Sequence, residues 1–229
     1  MSTGVHPGLS APPRALARST GIYLVTDTAQ CGRRGVAATA AAAVAGGVRT
    51  VQVREKHASA AEFYAQVLAV ADAVGGRALV LVDDRVDIYL AARAAGARVH
   101  GVHVGQSDLP VSSVRALVGP DAVVGLTANT PEHLEAVRAL AHGTVDYLGA
   151  GVIRPTSTKP DHPAPLGVDG FRAFAAAAPV PCVAIGGIGL PDLRGLRAAG
   201  ASGAAVVSAL CTAPDPRQSA RKLVAAWEG

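Results

Sequence analysis

Eight short runs rich in β-branched residues recur along this chain with helical stretches between them, and that alternation restricts the fold more than any other feature. The runs are GIYLVTD, RTVQVRE, ALVLVDD, VHGVHVG, AVVGLTA, VDYLGAG, PCVAIGG and GAAVVSA. Between them lie Ala- and Leu-rich segments with apolar residues at helical spacing, such as SAAEFYAQVLAVADAV and PEHLEAVRALAH. Apolar runs of this kind belong to strands buried on both faces, and strands that alternate with helices are parallel and joined by right-handed crossovers. Eight β-α units within about 200 residues predict a single-domain (β/α)8 TIM barrel, an α/β fold, with a doubly wound open sheet as the runner-up. No GxGxxG follows the first run, which counts against the dinucleotide-binding form of the open sheet.

A chain of 229 residues, half of them apolar, is long enough to build one such core. No linker or break in composition interrupts it after Gly21, so the expected division is a flexible tail over residues 1–20 and a barrel catalytic domain over 21–229. The opening stretch is rich in Pro, Ser and Gly and lacks the apolar core of a signal peptide. The Ala-rich GVAATAAAAVAGGV is too short and too weakly hydrophobic to span a membrane, and Gly46 and Gly47 end it. The net charge of +4 is mild, and its Arg and Lys residues are scattered without interleaved aromatics, so no nucleic-acid partner is expected. Cys31, Cys182 and Cys211 form no CxxC pair; neither a disulfide framework nor a zinc ribbon is suggested, and a reducing cytoplasm is the expected compartment. Oligomeric state is not legible, and a homo-oligomer stays open.

A barrel of this type gathers its function at the C-terminal ends of its strands. There the runs end in REK, VDD, HVGQSD, LTANT, GAGVIRPTSTK, AIGGIG and VVSA, whereas the junctions at the opposite rim are mostly bland Ala- and Gly-rich turns. Alternation along the second run puts Gln52, Arg54 and Lys56 on one face and Val51 and Val53 on the other. With the valines against the helices, two cations reach the barrel mouth. They call for an anion, and a diphosphate suits a planar guanidinium fork beside a compact ammonium. The plainer alternative is a solvated strand end. Asp83, Asp84 and Asp108 close the next two runs, and carboxylates so near one another need a cation between them; Mg²⁺ takes one or two carboxylates plus substrate phosphate oxygens. The plainer alternative makes Asp84 and Asp108 helix caps. The long RPTSTK loop offers the hydroxyls of Thr156, Ser157 and Thr158 and the charge of Lys159, which suits a lid or, more plainly, a polar surface loop. Gly186–Gly189 and Val206–Ala209 fall where barrels commonly hold phosphate, with small residues letting backbone N–H groups approach an oxyanion.

With these residues in view, YLVTD, QVREK, DDRVDIY, GVHVGQSDLP, GLTANT, PTSTK, AIGGI and GAAVVSAL, in this order and spacing, make the chain similar to the thiamine-phosphate synthase (thiamine-phosphate pyrophosphorylase) family from Gly21 to the C-terminal helix. The resemblance implies a Mg²⁺-dependent transferase that joins 4-amino-5-hydroxymethyl-2-methylpyrimidine diphosphate to 4-methyl-5-(2-phosphoethyl)thiazole, releasing diphosphate. It implies Gln52 at the aminopyrimidine and Arg54, Lys56, Asp83, Thr127 and Lys159 around the diphosphate, with Arg54, Lys56 and Lys159 stabilising the leaving group. Asp84 and Asp108 would ligate the metal. Thr156, Thr158 and the backbone at Gly187, Val207 and Ser208 would meet the thiazole phosphate. Its partners would be small phosphorylated substrates.

Three positions depart from the family pattern. Asp83 stands where Asn is usual, and Val152 and Arg154 replace a Pro and an aromatic in the sixth loop. Two rival readings share the barrel: a thiazole tautomerase-like isomerase, and a noncatalytic binder of phosphorylated ligands. His103 does not separate the isomerase from the synthase. A substrate bearing one phosphate, however, leaves the Gln52, Arg54 and Lys56 set and the Asp84 and Asp108 pair without a task.

Overall fold

The computed structural model describes residues 21–156 and 164–229; Ser157, Thr158 and Lys159 lie outside them. All eight runs form strands: β1 (Gly21–Val25), β2 (Thr50–Val53), β3 (Leu79–Asp83), β4 (Gly101–Val104), β5 (Val123–Thr127), β6 (Tyr147–Gly151), β7 (Cys182–Ile185) and β8 (Gly203–Val206). Each pairs in parallel with its neighbour in the chain, and β8 returns to β1 through Gly21↔Gly203 to Leu24↔Val206. The sheet is a closed barrel, and the open-sheet runner-up is excluded.

The helices are α1 (Thr28–Cys31), α2 (Val36–Ala45), α3 (Ala60–Val74), α4 (Val86–Ala94), α5 (Val111–Val118), α6 (Pro131–Arg138), α7 (Gly167–Ala177), α8 (Leu193–Ala198), α9 (Ser208–Cys211) and α10 (Pro216–Glu228). Local chemistry sets several of their ends. Ser59 accepts a hydrogen bond from the Glu62 N–H, and Glu62 accepts one from the Ser59 N–H, a capping box that opens α3 and contributes about 1 kcal/mol. Gly75, in the left-handed conformation, closes that helix. Pro131 and Pro216 occupy first-turn positions behind the caps Thr130 and Asp215. The apolar stripe of α3, from Phe63 through Val67, Val70 and Ala71 to Val74, is buried against the barrel. Where α2 ends, a Cβ on Gly46 would meet the Arg217 carbonyl at 2.4 Å, so only glycine lets α10 pack this closely. No helix among the described residues is long and apolar enough to cross a membrane.

Alternation along the strands divides the core in two. Val51, Val53, Val80, Val82, Val102 and Val104 face outward into the layer shared with the helices. Tyr23, Val25, Leu81, Val123, Tyr147, Val183 and Ala205 fill the barrel interior. Residues of the inner parity further along each strand therefore emerge at the C-terminal mouth.

The opposite rim is less bland than its sequence suggests. Arg115 of α5 donates to Asp146 at 2.7 Å and to the carbonyls of Gly119 at 2.8 Å, Ala122 at 2.6 Å and Thr144 at 3.3 Å. Asp146 also accepts the Val124 N–H at 2.7 Å. One half-buried ion pair thus ties together the segments that lead into β5 and β6.

Candidate active site

A cavity of about 490 Å³ opens at the C-terminal mouth. Gln52, Arg54, Lys56, Asp83, Asp84, Asp108, Thr127, Thr156, Gly187, Val207 and Ser208 all line it, so the structure brings together every sequence-predicted site residue that it describes. Thr158 and Lys159 lie outside the described residues.

The β2 trio behaves as alternation requires. Val51 and Val53 are fully buried against the helices, and Gln52 points inward, where its amide nitrogen donates to the Tyr23 hydroxyl at 2.8 Å. Arg54 lies between two acids, 3.7 Å from Asp27 and 3.8 Å from Asp83. Lys56 sits 3.3 Å from Asp83 and in direct contact with Asp84. Glu55, of opposite parity, turns away to accept from Thr28 and from the backbone of Lys56 and His57. The trio is therefore the wall of a pocket and not a solvated strand end.

Asp83 is buried beneath both cations. Burial raises its pKa above the usual carboxylate value, with Lys56 and Arg54 opposing the shift. Burial also disfavours the Lys56 charge, yet Asp83 and Asp84 raise its pKa. Asp84 adopts φ 57°, the one non-glycine residue with positive φ among those described, and its pKa is pushed up to about 6 by burial and then by Asp83. Neither Asp84 nor Asp108 caps a helix: α4 starts from Arg85 and α5 from Pro110, both without a side-chain cap. Asp108 instead accepts the Gly105 N–H at 2.7 Å within its own loop. The capping alternative is thereby removed for both.

Beneath these charges, a hydrogen-bonded chain that sequence reading missed crosses the barrel. Gln52 donates to Tyr23; the Tyr23 and Tyr147 hydroxyls are 3.0 Å apart; Tyr147 is 2.8 Å from Nδ1 of His103; and Nε2 of His103 is 3.0 Å from Oγ1 of Thr127. Inner parity on β1, β4 and β6 could have placed Tyr23, His103 and Tyr147 there, but their mutual contacts come from strands distant in sequence. Space for the rings comes from glycine. A Cβ at Gly125 would lie 2.3 Å from Tyr147 and 2.4 Å from His103, and one at Gly149 would lie 3.0 Å from His103. Gly125→Ala should lower the thermal midpoint by several degrees, because overpacking costs about 1–3 kcal/mol and each kcal/mol moves a domain of this size by roughly 2–4 °C. An unchanged melt would show that the buried rings can yield.

The loops after β6, β7 and β8 close the other side. Gly187, at φ +67°, passes so near the β6 loop that a Cβ there would meet the carbonyls of Arg154 and Pro155 at 2.7 and 2.8 Å. Arg154, one of the departures, pairs with buried Asp192 at 2.6 Å, and Asp192 also accepts the Gly189 N–H at 3.0 Å. The guanidinium thus ties the start of the sixth loop to the seventh. Val152 packs within 2.4 Å of where a Cβ on Gly186 would stand.

The donor chemistry suits a hard dication of small coordination demand. Asp108 lies close enough to Asp84 to add to the rise in the Asp84 pKa, after burial and Asp83. The described residues contain no cage of three or more ligands. Mg²⁺ asks for no cage, since it commonly takes one or two carboxylates and completes its shell with water and phosphate oxygens.

Comparison with known proteins agrees with this geometry. A thiamine-phosphate synthase of Corynebacterium efficiens is 53% identical over 182 residues, covering 80% of this chain and 84% of that protein. One from a Psychrobacter species is 40% identical over 204 residues, covering 89% and 93%. The solved thiamine phosphate pyrophosphorylase of Pyrococcus furiosus superposes with a TM-score of 0.79 at 29% identity, covering 93% of this chain and 98% of that one. Residues 22–210 match the family described as thiamine monophosphate synthase, and the chain belongs to that family.

Proposed function

We propose that this chain is a thiamine-phosphate synthase, a transferase of thiamine biosynthesis, acting as one barrel unit over residues 21–229. The observation that carries this reading is that the cations Arg54 and Lys56 and the acids Asp84 and Asp108 line the same cavity, with Lys56 against Asp84. That pairing suits a metal-bound diphosphate. The pyrimidine diphosphate occupies the β2 to β5 side of the mouth, with Gln52 at its aminopyrimidine and Arg54, Lys56, Thr127 and Lys159 around its diphosphate. Asp83 belongs to this group through the two cations it holds. The thiazole phosphate lies against Thr156, Thr158 and the backbone of Gly187, Val207 and Ser208.

In the reaction, the bond from the pyrimidine methylene carbon to the diphosphate oxygen breaks and its electron pair leaves with diphosphate. The thiazole nitrogen lone pair then forms the new C–N bond. No strong base is required, because that lone pair is available and the product nitrogen stays cationic. The demanding event is charge build-up on the leaving group, which Arg54, Lys56 and Lys159 meet as preorganised cations in a partly dry pocket. Asp83 keeps Arg54 and Lys56 aimed while the site is empty. Positioning of the thiazole adds an effective-molarity contribution. Asp84 and Asp108 are the residues that would hold Mg²⁺, which when bound neutralises part of the diphosphate charge. The chain works on small phosphorylated molecules, in the cytoplasm.

The test is diphosphate release from the two substrates with Mg²⁺, measured alongside tautomerisation of the thiazole alone. Release that needs both substrates and the metal is expected. Turnover of the thiazole alone would favour the isomerase, and binding without release would favour a noncatalytic role.

A further inference from the structure

The buried chain from Gln52 to Thr127 has a direction. Tyr23 is 1% and Tyr147 1% exposed, so neither phenol can turn to bulk water for a partner. Burial pushes the pKa of both upward, which keeps each hydroxyl protonated. Tyr23 already accepts from the Gln52 amide, and its other partner is the Tyr147 hydroxyl. If Tyr147 donated to Tyr23, the single Tyr23 proton would have no acceptor among its described side-chain partners, the Gln52 amide nitrogen and the Tyr147 hydroxyl, and an orphaned buried donor is costly. Tyr23 therefore donates to Tyr147. Tyr147 must then spend its own proton on Nδ1 of His103, 2.8 Å away. That bond requires Nδ1 to be a bare acceptor, so the ring proton of the neutral imidazole sits on Nε2. Nε2–H faces Oγ1 of Thr127 at 3.0 Å and donates to it. With an oxygen lone pair engaged from below, the Thr127 hydroxyl proton is left to point into the cavity that Thr127 lines.

We propose that His103 is a positioning residue, held by Tyr23 and Tyr147 as its Nε2–H tautomer, and that it aims the Thr127 hydroxyl as a hydrogen-bond donor to an anionic oxygen of the bound substrate. The identity of that oxygen as part of the departing diphosphate rests on the function proposed above. The proton order in the buried chain does not. Gly125 and Gly149 fit the same arrangement, since they leave room for the His103 and Tyr147 rings to meet at a tilt of 36° with centroids 5.4 Å apart inside the barrel.

The first measurement is made on the unmutated protein without substrates. Nitrogen-15 NMR of histidine-labelled chain should show a protonated, pyrrole-type Nε2 and an unprotonated, pyridine-type Nδ1 for His103. The chain has seven histidines, so the signals are assigned by their loss in His103→Gln. A proton on Nδ1 would overturn the proposal whether or not the chain is a synthase.

The second measurement is a double-mutant cycle in the synthase assay. Thr127→Val should lower kcat on the order of 10- to 100-fold, with Thr127→Ser recovering most of the loss. Tyr147→Phe should lower kcat roughly tenfold in the Thr127 background and leave it unchanged in Thr127→Val, since there is then no hydroxyl to aim. Equal losses from Tyr147→Phe in both backgrounds would sink the idea. An active enzyme with the wrong tautomer removes the proposal and keeps the function; an inactive chain with the expected tautomer does the reverse.

Discussion

Asp84→Gly is expected to cut diphosphate release by about 100-fold or more and, in the same protein, to raise the thermal midpoint by roughly 2–6 °C. The gain in stability comes from two features of the folded state. Asp84 holds φ 57°, where a side chain is strained by about 1 kcal/mol and glycine is not. Burial of its carboxylate, and then the neighbouring Asp83, also lift its pKa to about 6, so the charged form is disfavoured in the folded state. Greater freedom of glycine in the unfolded chain offsets about 0.4–1 kcal/mol, and loss of the Lys56 contact offsets some more, although Lys56 keeps Asp83 at 3.3 Å. A net gain on the order of 1–2 kcal/mol remains. Calorimetry without metal reads the stability, and the coupled assay reads the activity. A midpoint several degrees lower would make Asp84 a structural residue, and retained turnover would remove it from the metal site.

Arg115→Ala should have the largest effect on folding. Removing the guanidinium leaves Asp146 charged at 14% exposure and strips the Gly119, Ala122 and Thr144 carbonyls of a shared donor. Breaking such a pair from one side costs about 3–5 kcal/mol, which corresponds to roughly 10 °C or more in a domain of this size. Because the cluster lies at the rim opposite the cavity, kcat at low temperature should hardly change. Arg138→Ala supplies the control: its ion-pair partner Glu135 is 73% exposed and its contact with the Ala177 carbonyl is also at the surface, so their loss should cost less than about 1 kcal/mol. Equal shifts for the two variants would show that the Arg115 cluster holds nothing together.

The candidate site was legible wherever it lay on one strand or directly at a strand end. Gln52, Arg54 and Lys56 could be placed at the barrel mouth because a strand's side-chain period is two, whatever the neighbours. Asp84 and Asp108 were ambiguous for the opposite reason. An acid before a helix reads equally as a cap or as a ligand, and the backbone that decides between them is shaped by the whole loop. Asp83 shows a further limit. As a departure from the family's Asn it read as extra charge beside a diphosphate, whereas the fold buries it under Arg54 and Lys56 as their shared counter-ion. The link between Tyr23, His103, Tyr147 and Thr127 had no sequence signal, since its members come from β1, β4, β6 and β5.

What the amino-acid sequence determined by itself is everything governed by local periodicity and local chemistry. Eight apolar runs became eight strands, Ser59 with Glu62 and the prolines at 131 and 216 started helices, and alternation chose which side chains face inward. What only the tertiary structure decided is which inward side chains meet. Closing β8 onto β1 brings residues more than a hundred positions apart, such as Tyr23 and Tyr147, within hydrogen-bonding distance. Burial there makes every proton need a partner, and so a set of isolated polar residues becomes an ordered chain leading to Thr127.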